Sequence, residues 1–187
     1  MTTNEAVMVL EALDSQSEEY RQVLARLLER IDPHKPFGTA LFNALAALTW
    51  SMAFEAVALR VNPESGKLEV FLRQRAQDDT AYPGEWHAPG SVFRPGENEH
   101  EVADRLAKEF GTTIVSFLYI GEYVDWEGGE ARGSFVSRNY LVVLGGPPRE
   151  DDRHSWFPVD QLPPNTCHHH RDSIIPMVAK AYGGQGL

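Results

Sequence analysis

Residues 82–112 read YPGEWHAPGSVFRPGENEHEVADRLAKEFGT. Trp86 leads into Pro89-Gly90, a short loop follows, and Gly96-Glu97 opens a helical stretch. The helix expected over Glu97–Phe110 is closed by Gly111, the residue type that takes a left-handed cap at no steric cost. Arg105 stands eight residues after Glu97. Everything else in the chain is read from this loop and helix outward.

Upstream, Phe54–Val61 and Leu68–Arg75 are short apolar runs separated by Asn62-Pro63-Glu64-Ser65-Gly66, a turn signal, so they predict a β-hairpin. Gln77–Glu85 is polar and reads as loop. Downstream, Ile114–Val124 and Phe135–Leu144 read as strands joined by the acidic, glycine-rich segment 125–133. Gly145-Gly146-Pro147-Pro148 stops the second of them. Trp156–Val159 reads as a short strand and His168–Tyr182 as a closing helix, shortened or kinked by Pro176. The first fifty residues read as three helices, over about Ala6–Leu13, Ser17–Ile31 and Pro36–Trp50. Ser17 is the expected N-cap of the second, and Asp32-Pro33 ends it. The element order predicts an α/β protein with a mixed β-sheet and helices packed on its faces. The expected division is a helical extension over 1–50 and a main domain over 51–187.

The loop and helix resemble the signature of the Nudix hydrolase family, G-x5-E-x7-R-E-U-x-E-E-x-G-U with U a bulky aliphatic residue, usually preceded by W-x-x-P-G. Trp86, Pro89, Gly90, Gly96 and Glu97 match the loop, and Arg105 falls where the box requires it. The resemblance covers roughly residues 50–182 and implies a Nudix-like α/β/α sandwich, with the N-terminal helices outside it. Gly90, Gly96 and Arg105 are then structural residues of the box. In the family, glutamates one, four and five residues after the arginine hold divalent cations, usually Mg²⁺, against a pyrophosphate; the metal neutralises phosphate charge and helps make the attacking hydroxide.

That half of the box does not match. Counted without a gap, the three positions are Leu106, Glu109 and Phe110, and the first residue of the box is Ser91. Moving Gly111 onto the closing glycine drops the first glutamate and puts Lys108 and Glu109 at the other two positions. Either count leaves one glutamate of three. Leucine and phenylalanine offer no oxygen to a hard cation, and one carboxylate plus water holds Mg²⁺ weakly. Glu109 is therefore the only box candidate for catalysis or metal binding, with Glu97 supporting. Mg²⁺ or Mn²⁺ is a candidate cofactor without an intact ligand set. The acids Glu99, Glu101 and Asp104 read as a solvated face, with Glu101–Arg105 and Asp104–Lys108 at salt-bridge spacing. Glu122, Asp125, Glu127 and Glu130 lie on or near a loop within reach of the site.

Two functions follow from the resemblance. One is a protein with a degenerate box that binds a nucleotide-like diphosphate, with weak or absent pyrophosphohydrolase activity. The other is a divergent metal-dependent hydrolase of a nucleoside diphosphate derivative. Arg73 and Arg75 are candidates to meet phosphates, His87 to face the substrate, and Trp126 to stack on a ring. Each also has a bland reading, as strand-end charges, a strand residue and a half-buried aromatic. Cys167-His168-His169-His170 invites a metal reading, yet three successive helical residues point about 100° apart and cannot share one ion.

The 187-residue chain carries 17 Lys and Arg against 27 Asp and Glu, a formal charge of −10. No basic patch offsets it, so neither a nucleic-acid nor a membrane partner is expected. The single Cys167 excludes an internal disulfide and fits a reducing cytosol, so the expected localisation is cytoplasmic. The apolar N-terminal helices predict a homodimer through that extension.

Overall fold

The structure is a computed structural model that describes residues 8, 12, 14–15, 17–125 and 133–184. Most of the helix expected over Ala6–Leu13, and the residues Trp126, Glu127 and Glu130, lie outside the described residues. The chain divides into two compact units, Met1–Phe37 and Gly38–Leu187.

The first unit holds helix α1, Glu18–Leu28. The Ser17 hydroxyl caps it by accepting from the Tyr20 amide at 3.1 Å, and Glu18 and Glu19 sit where the helix dipole favours negative charge. None of its residues is buried, and Leu24, Leu27 and Leu28 are exposed.

The second unit opens with α2, Thr39–Ala46. It is shorter than the 36–50 helix expected, because Gly38 takes a positive φ of 75° at its start and strand β1 already begins at Ser51. Then follow β1 (Ser51–Val61), β2 (Leu68–Gln74), β3 (Trp86–His87), β4 (Gly90–Val92), helix α3 (Glu99–Phe110), β5 (Ile114–Val124), β6 (Phe135–Leu144), β7 (His154–Pro158) and helix α4 (Ile175–Gly184). A π-helical turn over His170–Ile174 precedes α4. Helical residues run from His168 through this turn into α4, so Pro176 lies inside a continuous helix, and the wider π turn falls just ahead of the residue whose missing N–H removes a helical bond.

The strands form one mixed sheet in the order β3-β2-β1-β6-β5, with β4 paired to β1 and β7 to β2. β1 and β6 run parallel and the other pairs antiparallel. The expected hairpin is present, but β1 and β2 pair only at 59–61 with 68–70. Toward Ser51 the two strands part. The segment from β3 to β4 crosses between them, pairing His87 with Arg73, Gly90 with Glu55, and the Pro89 carbonyl with the Ala56 amide.

Alternation along β1 sorts the core onto two faces. Phe54, Ala56 and Ala58 join Phe71, Tyr140 and the α3 residues Val102, Ala103, Leu106 and Phe110. Val57 joins Val70, Leu72, Leu141 and the residues Ile174, Ile175 and Val178. Helices thus cover both sides of the sheet. Glu55 shares the parity of Val57, so it points to the α4 side.

Candidate functional site

The loop before α3 is held by a network centred on Arg105. Its guanidinium donates to Glu97 at 2.9 and 2.7 Å, to the Ser91 hydroxyl at 2.5 Å and to the Val92 carbonyl at 3.0 Å. Glu97 also accepts from the Arg94 amide, and these bonds hold its carboxyl below the usual range. Gly96 turns the loop with φ 82°, a conformation that a Cβ would strain. Asn98 and Glu101 then form a reciprocal capping box at the start of α3, and Gly111 ends it in the left-handed conformation. The Glu101–Arg105 pairing expected from spacing is replaced. Glu101 serves the cap and Arg105 reaches back to Glu97, because several charge-assisted bonds outweigh one exposed pair.

The far half of α3 carries the decisive geometry. The helix runs unbroken through Phe110, and Leu106 and Phe110 face the core at 1% and 0% exposure. Glu109 lies on a different side, half-buried, and accepts from Arg73 on β2 at 2.6 Å. Glu109 is thus ion-paired with a residue expected to meet phosphate. The donor set does not fit a divalent cation. Two of three positions are core hydrocarbon, the third is ion-paired, and no group of three His, Cys, Asp or Glu among the described residues has metal-binding geometry.

Arg75 lies just beyond β2. It bonds Asp79 at 3.0 Å and sits over the Tyr82 ring. His87, on β3, is buried, and burial with the nearby Arg75 and Arg73 charges keeps its imidazole neutral, well below its ordinary pKa. Trp126 lies outside the described residues. The structure therefore brings Arg73, Glu109 and His87 into one neighbourhood, and the Arg75 charge acts on both His87 and Glu55.

A second group stands beside them. Glu55 is buried in β1, its carboxyl against Gly90 so closely that a Cβ there would overlap it. Oε1 accepts from the Ser137 hydroxyl at 3.3 Å, and Oε2 lies 3.8 Å from His170 Nε2, beyond hydrogen-bond length. Burial pushes the acid up to about 8, with Arg75 and Ser137 pulling it down and Glu109 adding to the rise. His170 is held well below its ordinary value by burial and by His169 and His87, and burial pushes His169 down to about 4. Asn139, fully buried on β6, is the register partner of Glu55. At neutral pH the cluster holds a neutral acid, neutral imidazoles and a carboxamide.

Cys167 is buried and its thiol is pushed up to about 12, which makes it a poor nucleophile and a poor metal ligand. His169 packs among Tyr82, Tyr123 and Phe135, and His170 faces Glu55, so the histidine run is largely interior. Sequence reasoning missed Glu55 and Asn139. The signal available for Glu55 was a lone acid interrupting the apolar run 40–59.

No family model matches the chain, and neither does any curated protein. Solved structures do match. A MutT/Nudix family protein from Listeria innocua superposes with a TM-score of 0.58 at 19% identity, over 72% of this chain and 95% of that one. The Nudix domain of Shewanella oneidensis NrtR, solved with ADP-ribose, gives 0.56 at 18%, over 84% and 97%. NrtR solved with a 27mer DNA gives 0.58 at 18%, over 73% of this chain and 64% of that one. The fold is that of the Nudix proteins. Among the described residues no helix is long and apolar enough to cross a membrane.

Proposed function

We propose that this chain binds a nucleotide-like diphosphate ligand through a degenerate Nudix box, with weak or absent pyrophosphohydrolase activity. One observation carries the reading. Leu106 and Phe110 are packed into the core while Glu109 is bonded to Arg73, so the helix offers no ligand set for the catalytic metal. The intact loop around Arg105, and a similar fold solved with ADP-ribose, support retention of a ligand site. Arg73, Arg75 and His87 are the residues of this chain that would contact it. A guanidinium suits a phosphate because it presents paired donors in a plane.

The test pairs binding with turnover. Calorimetry with ADP-ribose should show binding. Hydrolysis of ADP-ribose, dinucleoside polyphosphates and nucleoside triphosphates with Mg²⁺ or Mn²⁺ should stay near background. Robust metal-dependent turnover abolished by Glu109→Gln would establish the hydrolase reading instead. The proposal includes a homodimer through the N-terminal helices, on the strength of the exposed leucines of α1. A monomer by light scattering removes that part. It includes no nucleic-acid partner, given the net charge of −10; salt-sensitive binding of duplex DNA would reverse this.

A further inference from the structure

β5 ends the sheet beside β6, and among the described residues β6 is the one strand paired with it. It is 11 residues long. An edge strand presents a row of backbone N–H and C=O groups that another strand can satisfy. Proteins discourage such pairing with short edges, lysine or proline, and β5 has none of these. Its one charged residue, Glu122, is the register partner of Arg138. The register shifts at Ile114/Ser116 and at Tyr119/Gly121, and the run 116–119 between them pairs regularly with β6. Around that run Val115, Leu118 and Tyr119 are exposed, and so is Val143, opposite Ser116 on β6. These side chains make an uncharged, largely apolar border on a chain whose formal charge is −10.

We propose that β5 is a docking edge for a second copy of this chain: two β5 strands pair antiparallel about a twofold axis at Leu118 and join two sheets into one. The inference goes beyond the ligand-binding reading, and it is separate from the pairing proposed for the N-terminal helices. Residues directly opposite in an antiparallel pair share a face of the sheet. Leu118 lies opposite Leu141, on the α4 side, while Phe117 and Tyr119 lie opposite Val142 and Tyr140, on the α3 side. An axis on a residue, rather than between two, therefore keeps both faces continuous. With the axis at Leu118, that leucine meets its own copy, and Phe117 meets Tyr119 of the second chain.

Charge selects a second copy as the occupant. Two acidic chains repel over most of their surfaces, and they need a border without acids to meet. Counted from the axis, Glu122 falls opposite Ile114 of the second chain, so no carboxylate faces another. The contact is isologous: each strand supplies to its copy what it receives, and an identical strand matches it in length and twist. Leucine on leucine and phenylalanine on tyrosine are favourable cross-strand pairs, and they cover Leu118 and Tyr119, which the single chain leaves exposed.

The experiment is sedimentation equilibrium on the full chain, with disulfide trapping to read the register. A chain carrying Leu24→Lys and Leu27→Lys, which removes apolar side chains from α1, should still sediment as a dimer at high micromolar concentration. Adding Leu118→Lys opposes two ammonium groups across the axis and should raise the dissociation constant more than about tenfold. Opposed Cα atoms of an antiparallel pair lie about 4.5–5.5 Å apart, within disulfide reach. Leu118→Cys should therefore give a covalent dimer when oxidised in air with copper–phenanthroline. Val143→Cys is also exposed, but its twin lies three strand spacings away, at least about 14 Å, and should not cross-link. The native Cys167 is buried, and circular dichroism reports the fold of each variant. A monomeric Leu24→Lys, Leu27→Lys chain overturns the edge pairing, and a wild type that is then dimeric assigns association to α1. A dimer that Leu118→Lys leaves unchanged overturns it too, as does equal cross-linking at 118 and 143. None of these results bears on ligand binding, which calorimetry tests separately.

Discussion

The two helices that flank the sheet treat polarity in opposite ways. α3, the helix whose sequence resembles the Nudix box, turns hydrocarbon inward at Leu106 and Phe110 and pairs Glu109 with Arg73. The turn leading into α4 buries His170 3.8 Å from the Glu55 carboxyl, which burial keeps protonated at neutral pH. Position in a family pattern thus fixes the shape of the loop and helix, while the buried chemistry depends on which side chains meet across the sheet. In this protein they meet on the α4 face.

The sharpest way to break that contrast is to restore the family's carboxylates. Leu106→Glu and Phe110→Glu each place an acid where exposure is 1% and 0%. Each should cost on the order of 3–5 kcal/mol in urea unfolding, the range for an uncompensated buried charge. No gain in Mg²⁺-dependent hydrolysis is expected. A double variant that melts near wild type and turns over ADP-ribose would show that α3 can rotate its face outward, and the contrast would fail.

The Arg105 network tests the part of α3 that holds the loop ahead of it. Arg105→Ala removes four bonds at once and leaves Glu97 with the Arg94 amide alone among those bonds. A loss of about 2–3 kcal/mol is expected, larger than for an exposed ion pair because hydrogen bonds to charged groups are being broken. Arg105→Lys should recover little, since an ammonium cannot reproduce the planar fork.

The α4 side should announce itself through pH. Glu55 has its folded pKa raised from 4.5 to about 8, so the native state keeps a proton that the unfolded chain has lost. That stability is full below about 4.5 and is lost as pH rises toward 8, at up to about 1.4 kcal/mol per unit. Lowered histidines act in the opposite sense. The unfolded chain gains protons below 6.5 that His87, His169 and His170 refuse in the native state, so they erode stability as pH falls from 6.5 toward 4. Urea unfolding should therefore be most difficult near pH 6.5. Glu55→Gln should flatten the alkaline limb and steepen the acid limb between about 4.5 and 6.5, where the Glu55 proton opposes the histidines; equal slopes in both proteins would remove Glu55 from the core.

Much of the fold was legible because its signals are local. The Asn62–Gly66 turn, the apolar runs of β5 and β6 and the Gly111 cap each depend on residues within a few positions of one another. The short strands β3 and β4 were not legible as such, since two or three residues show no periodicity and exist only through pairing with β2 and β1. The site divides in the same way. That Leu106 and Phe110 carry no carboxylate could be counted along the helix, and their burial agrees with its periodicity. The Glu55 cluster joins residues 55, 137, 139 and 170, which only the parallel pairing of β1 with β6 and the packing of α4 bring together.

The smallest expected effect falls on Glu109, and it discriminates most between the two functional readings. Glu109 and Arg73 are 29% and 33% exposed, so their pairing, though short at 2.6 Å, is screened by solvent. Glu109→Gln should change stability by less than about 1 kcal/mol. If Arg73 serves the ligand's phosphates, removing its carboxylate partner frees the guanidinium and takes a negative charge from the site. ADP-ribose should then bind somewhat more tightly, by about three- to tenfold, with or without EDTA. A metal ligand at Glu109 predicts the reverse, a loss of affinity seen only when Mg²⁺ or Mn²⁺ is present. The sign of one affinity change thus separates an arginine-served binding site from a metal-served one.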